Sequence, residues 1–162
     1  MNNQTALTSL NDCSNELIKM QQIIDVFGQA HSIVPFLTNY AIIKCCGTIE
    51  NCFKIIISDF HNQLPAQARN YIENTFLYSS MNPSKDNICK SLRRFDDQWN
   101  NDFKSQLAIH PDKARLESSL NSLNEARNAF AHGGNPAVSF TSVVAYFNDS
   151  KIIIEMLDDV IR

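Results

Sequence analysis

The segment from Pro35 to Phe60 constrains this chain more than any other. Ile42, Cys46, Ile49, Phe53, Ile56 and Phe60 recur at three- and four-residue intervals, which is the spacing of one face of an α-helix. Ile43, Ile55 and Ile57 widen that face until most of the circumference is apolar. A helix apolar on most sides has to be surrounded by other elements, so this segment is expected to be the central helix of a bundle. Lys44, Glu50, Lys54 and Asp59 interrupt it, and that many charges exclude a membrane span.

The remaining segments supply the surrounding helices. Leu10, Leu17, Met20, Ile24 and Phe27 mark a first helix from about Thr5 to Gly28. Ala66 to Tyr78 reads as a short helix, with Ala68, Tyr71, Ile72 and Thr75-Phe76 inward. Lys85 to Phe95 and Asp97 to Leu107 read as two helical pieces anchored by Ile88, Leu92, Phe95, Trp99 and Phe103. His110-Pro111-Asp112 ends one helix and starts the next, with Asp112 as N-cap or first-turn anion. Val144, Phe147, Ile153, Ile154, Leu157 and Ile161 mark a last helix, expected to start at Thr141 or Ser142 and to break at Asn148-Asp149-Ser150. With 162 residues, 44% of them hydrophobic, and only four glycines and five prolines, the chain is expected to be one all-α domain over residues 1–162. The architecture expected is an up-and-down bundle of about five helices.

The stretch from Ala114 to Gly134 carries an anomaly. Leu116, Leu120, Leu123 and Phe130 lie on one helical stripe, and Arg127 takes the remaining place in it. A guanidinium left buried without a partner would cost several kcal/mol, so something must pair with it or use it. Glu50 is the matching anomaly, a carboxylate beside the apolar stripe of the central helix. It either pairs with Lys54 one turn on or is the buried anion that neutralises or orients Arg127. Five residues after Arg127 comes His132, followed by Gly133, Gly134, Asn135 and Pro136, a sequence that stops a helix. Asn128 shares the face of His132. A cation, an amide and an imidazole are thereby gathered at one helix end.

That wording, Arg127-Asn128, three residues, then His132-Gly133, resembles the signature of the HEPN superfamily, and looks most like its RiboL-PSP-HEPN branch. The resemblance implies a helical bundle that acts as a metal-independent endoribonuclease without a cofactor. Its composite active site would lie at a homodimer interface, and its role would be that of a toxin or an anti-phage defence protein. Carried onto this sequence, Arg127 would bind the scissile phosphate, His132 would act as acid or base, and Asn128 would orient one of them, with Glu50 and Gly133 in support. The alternative within the superfamily is a non-catalytic module that binds RNA or a nucleotidyltransferase-like partner protein. An antitoxin or sensor partner is compatible with either.

Charge narrows how RNA could be held. The net charge of −3 argues against coating nucleic acid by charge alone, so contacts must be local. Lys90, Arg93 and Arg94 form the densest basic cluster, either a solvated helix face or a phosphate-contacting surface near the Arg–His pair. Five cysteines, an odd number with one adjacent pair and no metal-ligand spacing, read as reduced, buried thiols of a cytoplasmic protein with no metal site. The opening residues lack the basic start and apolar run of a secretory signal.

Overall fold

The computed structural model describes residues 1–161. Its helices are α1 (Gln4–Phe27), α2 (Val34–Phe60), α3 (Ala66–Ile72), α4 (Lys85–Phe95), α5 (Asp97–Ile109), α6 (Lys113–Ala131) and α7 (Phe140–Val160), with α3 continuing into a π turn over Glu73–Leu77. The seven helices make an all-α bundle with no strand among the described residues; the helical segments read from the sequence all form, and they exceed the expected bundle of about five because α3, α4 and α5 stand as separate short helices. None of the helices is long and apolar enough to cross a membrane.

α2 is central, packed by α1, α6 and α7. Its inward side chains Ala41, Ile42, Cys45, Ile49, Cys52, Phe53 and Ile57 are wholly buried. Each large one contributes about 1.5–3 kcal/mol relative to exposure. The apolar widening ends at Ile43, which faces outward.

Polar anchors set the helix directions. Asn3 caps α1 by accepting from the Ala6 amide at 2.9 Å, donates to Asp59 at the end of α2 at 2.9 Å, and gives its own amide to Asp158 near the end of α7 at 3.1 Å. The start of α1 and the ends of α2 and α7 therefore meet at one pole of the bundle. At the other pole the end of α1, the start of α2, the end of α6 and the start of α7 come together.

α7 begins two or three residues earlier than expected, because Ser139, not Thr141 or Ser142, is the N-cap and accepts from the Ser142 amide at 3.1 Å. It also runs unbroken through Asn148-Asp149-Ser150. Asp149 is buried against α6, where its carboxylate takes the Ser119 hydroxyl at 2.6 Å and the Arg115 guanidinium. The Ser150 hydroxyl bonds back to the Tyr146 carbonyl at 2.7 Å. The polar run that signalled a break is instead an internal contact. On α3 only the following Phe76 is buried and Tyr71 faces solvent. Asp112 stands at the N-cap of α6 but makes no cap bond, pairing instead with Arg115 at 3.0 Å.

At the far end of α2 an aromatic cluster seats the α4–α5 hairpin. The His61 ring stacks on Phe95 at 5.0 Å and meets Phe60 at 5.3 Å, while Phe60 packs edge-on to Trp99 at 4.7 Å. Burial pushes the His61 imidazole below its ordinary value, so the unfolded chain binds this proton more readily than the folded one. The folded state is therefore unpenalised above the ordinary histidine value of roughly 6.5 and loses stability as pH falls below it. Thermal unfolding followed from pH 7.5 to 5.5 should show a steeper fall in Tm for the intact chain than for His61→Phe. Parallel profiles would assign the acid sensitivity elsewhere.

Candidate functional site

α6 is amphipathic over its first three turns, where Leu116, Leu120 and Leu123 are fully buried. By Arg127 the helix has reached the surface of the bundle. Arg127 and Asn128 are half-buried and Phe130 is 38% exposed. The polar group that occupies the buried end of the stripe is Asn124, 4% exposed, whose side-chain oxygen accepts the Cys46 thiol of α2 at 3.3 Å. Asn124 escaped the sequence reading; its place four residues before Asn128 was the signal that could have found it. Its amide nitrogen has no partner.

Arg127 donates one bond, to the Asn128 side-chain oxygen at 3.2 Å, and forms no ion pair among the described residues. The expectation of a buried guanidinium neutralised by Glu50 is therefore corrected. Glu50 is spent elsewhere, where its Oε1 accepts from Lys54 Nζ at 2.6 Å and from the Met81 amide at 2.8 Å. Lys54, 3% exposed, also donates to the Ser79 carbonyl. The pairing of Glu50 with Lys54 one turn on is the one formed, but as an internal clamp on the 79–81 loop rather than as a surface pair. Arg127 and Glu50 meet only through their fields at Cys46. Burial pushes that thiol up to about 11, with Arg127 opposing the shift and Glu50 reinforcing it.

The helix stops as its glycines dictate. His132 is the C-cap, and Gly133 follows at φ 80°. The Gly133 amide donates to the Phe130 carbonyl at 3.0 Å and the Gly134 amide to the Ala129 carbonyl at 2.8 Å, the paired bonds of a Schellman turn. A Cβ on Gly134 would sit 2.8 Å from the Ala129 carbonyl oxygen, so both glycines are required, for different reasons. The turn leaves the His132 side chain exposed, with no hydrogen-bond partner among the described residues. One helix end thus presents a cation with most of its fork unused, an amide touching it, and an imidazole open to solvent.

The family model described as RiboL-PSP-HEPN matches residues 8–162, a span that includes this whole site. The chain belongs to the RiboL-PSP-HEPN family. HEPN domains are a helical fold associated with RNA binding and endoribonuclease activity. No curated protein and no solved structure shows significant similarity to the chain.

Within this HEPN bundle the basic cluster lies away from the Arg–His pair. Lys90, Arg93 and Arg94 are exposed on α4. That helix begins where Lys85 pairs with Glu117 at 2.9 Å, ten residues and about 15 Å of helix before Arg127. It ends at Phe95 on His61, by the opposite pole. Periodicity and local charge cannot report this separation, because it depends on where the α4–α5 hairpin docks.

Two substitutions probe the supports of the site. Glu50→Ala leaves Lys54 buried without its anion and should cost roughly 3 kcal/mol, read as a lowered denaturant midpoint, whereas Glu50→Ala with Lys54→Met should recover much of it. A full loss in both would show that the clamp is not what Glu50 supplies. Gly134→Ala should destabilise by about 1–3 kcal/mol through the clash with Ala129, and a variant as stable as the intact chain would mean that the turn relaxes freely.

Proposed function

We propose that this HEPN protein is a metal-independent endoribonuclease that works as a homodimer. The observation that carries the reading is the unspent chemistry at the end of α6. Among the described residues Arg127 has no carboxylate partner and the His132 side chain no hydrogen bond, yet a two-glycine turn fixes the helix end that bears them. A structural salt bridge would have consumed the guanidinium, and because backbone amides complete the cap, the imidazole is not needed to hold the turn.

Cleavage of RNA by these groups runs through attack of a ribose 2′-oxygen on the adjoining phosphorus. The new P–O2′ bond forms as the P–O5′ bond breaks, leaving a 2′,3′-cyclic phosphate and a 5′-hydroxyl. Arg127 binds non-bridging oxygens and offsets the extra negative charge of the transition state. Asn128 holds the guanidinium in place. A neutral His132 takes the 2′-hydroxyl proton, and a protonated His132 of a second copy gives one to the departing 5′-oxygen. Two proton transfers and one His132 per chain call for two chains.

A surface for the second copy lies beside the site. Phe36, Tyr40 and Ile43 form one outward stripe of α2 at 74%, 53% and 41% exposure. Cys46, next to this stripe, touches α6. Exposed Phe130 extends the apolar area towards His132. Lys90, Arg93 and Arg94 would then hold phosphates further along the RNA, not the scissile one. The five free, buried cysteines support a reducing, cytoplasmic setting. We assign the protein a toxin or anti-phage defence role, held in check by an antitoxin or sensor partner. The same apolar stripe would serve the other HEPN function, docking onto a nucleotidyltransferase-like partner.

Incubation with labelled single-stranded and structured RNA in chelator should yield 2′,3′-cyclic phosphate ends. Cleavage should fall at least about 100-fold in Arg127→Ala and His132→Ala with helicity retained, and Phe36→Asp should lower the dimer fraction and the cleavage rate together. RNA that is bound but never cut would move the assignment to the non-catalytic module.

A further inference from the structure

Beside the Arg–His pair, the α1–α2 connector and the 135–140 segment enclose a cleft of about 510 Å³. That is within the range of small-molecule sites, about 300–1,000 Å³. Its polar lining combines three amides, Gln29, Asn39 and Asn135, with the hydroxyls of Ser32, Thr38 and Ser139 and with His31 at one side. The side chains of these three amides have no hydrogen-bond partner among the described residues, whereas the nearby Thr38 hydroxyl is spent on the Val34 carbonyl at 2.9 Å. His31 accepts the Ile33 amide on Nδ1 at 3.2 Å. Pro35 and Pro136 supply flat apolar walls.

Amides carry a donor and an acceptor side by side, which is the pattern on the edge of a nucleobase. Single-stranded RNA is read by bases splayed out of the stack, held against flat surfaces and hydrogen-bonded at their edges. Asn135 follows His132 by three residues, so their backbones are no more than about 11 Å apart. A base in the cleft and a phosphate at Arg127 and His132 can therefore belong to the same or adjoining nucleotides.

We infer that this cleft is a nucleobase-recognition site, with Asn39, Asn135 and Gln29 reading the base edge, and that it sets which nucleotide flanks the cleaved bond. The inference rests on the ribonuclease reading for its substrate. It does not rest on it for binding, because a base can be held whether or not the adjoining phosphate is attacked.

The test adds AMP, CMP, GMP, UMP and inorganic phosphate separately to the intact, isotope-labelled protein and follows the side-chain amide resonances of Asn39, Asn135 and Gln29. Unequal shifts among the four nucleotides, absent with phosphate and abolished in Asn39→Ala or Asn135→Ala, are expected. In cleavage of RNAs that differ only at the flanking base, the preference should drop on the order of tenfold in either variant. Silent amides with every nucleotide, shifts reproduced by phosphate alone, or an unchanged preference in cut RNA would overturn the cleft while leaving the ribonuclease standing. Discriminated nucleotides with no RNA cut under any condition would sustain the cleft and remove the ribonuclease.

Discussion

The bundle depends on enclosing α2. A 27-residue helix that carries isoleucine, cysteine and phenylalanine on most of its sides loses most of its hydrophobic stabilisation unless several partners cover it at once. α1, α6 and α7 do so along its length, and the π turn over Glu73–Leu77 adds cover near its C-terminal end, where Phe76 meets Phe53. The polar bonds that join the chain ends, Asn3 to Asp59 and to Asp158, add little net energy of their own. They select the direction in which each helix meets the centre.

The candidate site follows from where that enclosure stops. α6 is buried for as long as it lies against α2 and α7, and it emerges at Arg127. A cation at such a boundary keeps an apolar stem against the bundle and its fork near solvent, which avoids the desolvation that a fully buried guanidinium would suffer. The Schellman turn then halts the chain at His132 with its last carbonyls satisfied by Gly133 and Gly134. Rigid backbone and unspent side chains at one place are what distinguish this helix end from the others in the molecule.

Much of this was legible in the sequence. The Pro35–Phe60 stripe announced the central helix, the helix from Lys85 to about Phe95 was legible, and the Gly133-Gly134 stop was readable because few residues other than glycine tolerate a positive φ. What failed had a common cause. Glu50 was a charge beside an apolar stripe, but its partners are Lys54 and the amide of Met81, the latter supplied by a loop thirty-one positions away. Asn148-Asp149-Ser150 has the composition of a break, yet Asp149 is held by Ser119 and Arg115 of a neighbouring helix. Local composition describes what a residue tends to do alone, and both cases were decided by what docked against it.

The sequence by itself determined the helices, the family and the presence of arginine, asparagine and histidine on one helix end, because periodicity and capping are local properties of the chain. Only the tertiary structure decided that Arg127 is half-buried with no ion pair among the described residues, that the helix bearing the Lys90–Arg94 cluster ends by the far pole, and that Gln29, Asn39 and Asn135 share a cleft beside His132. These depend on helix directions and docking, which are fixed by many weak contacts between distant segments acting together. No single stretch of sequence contains them.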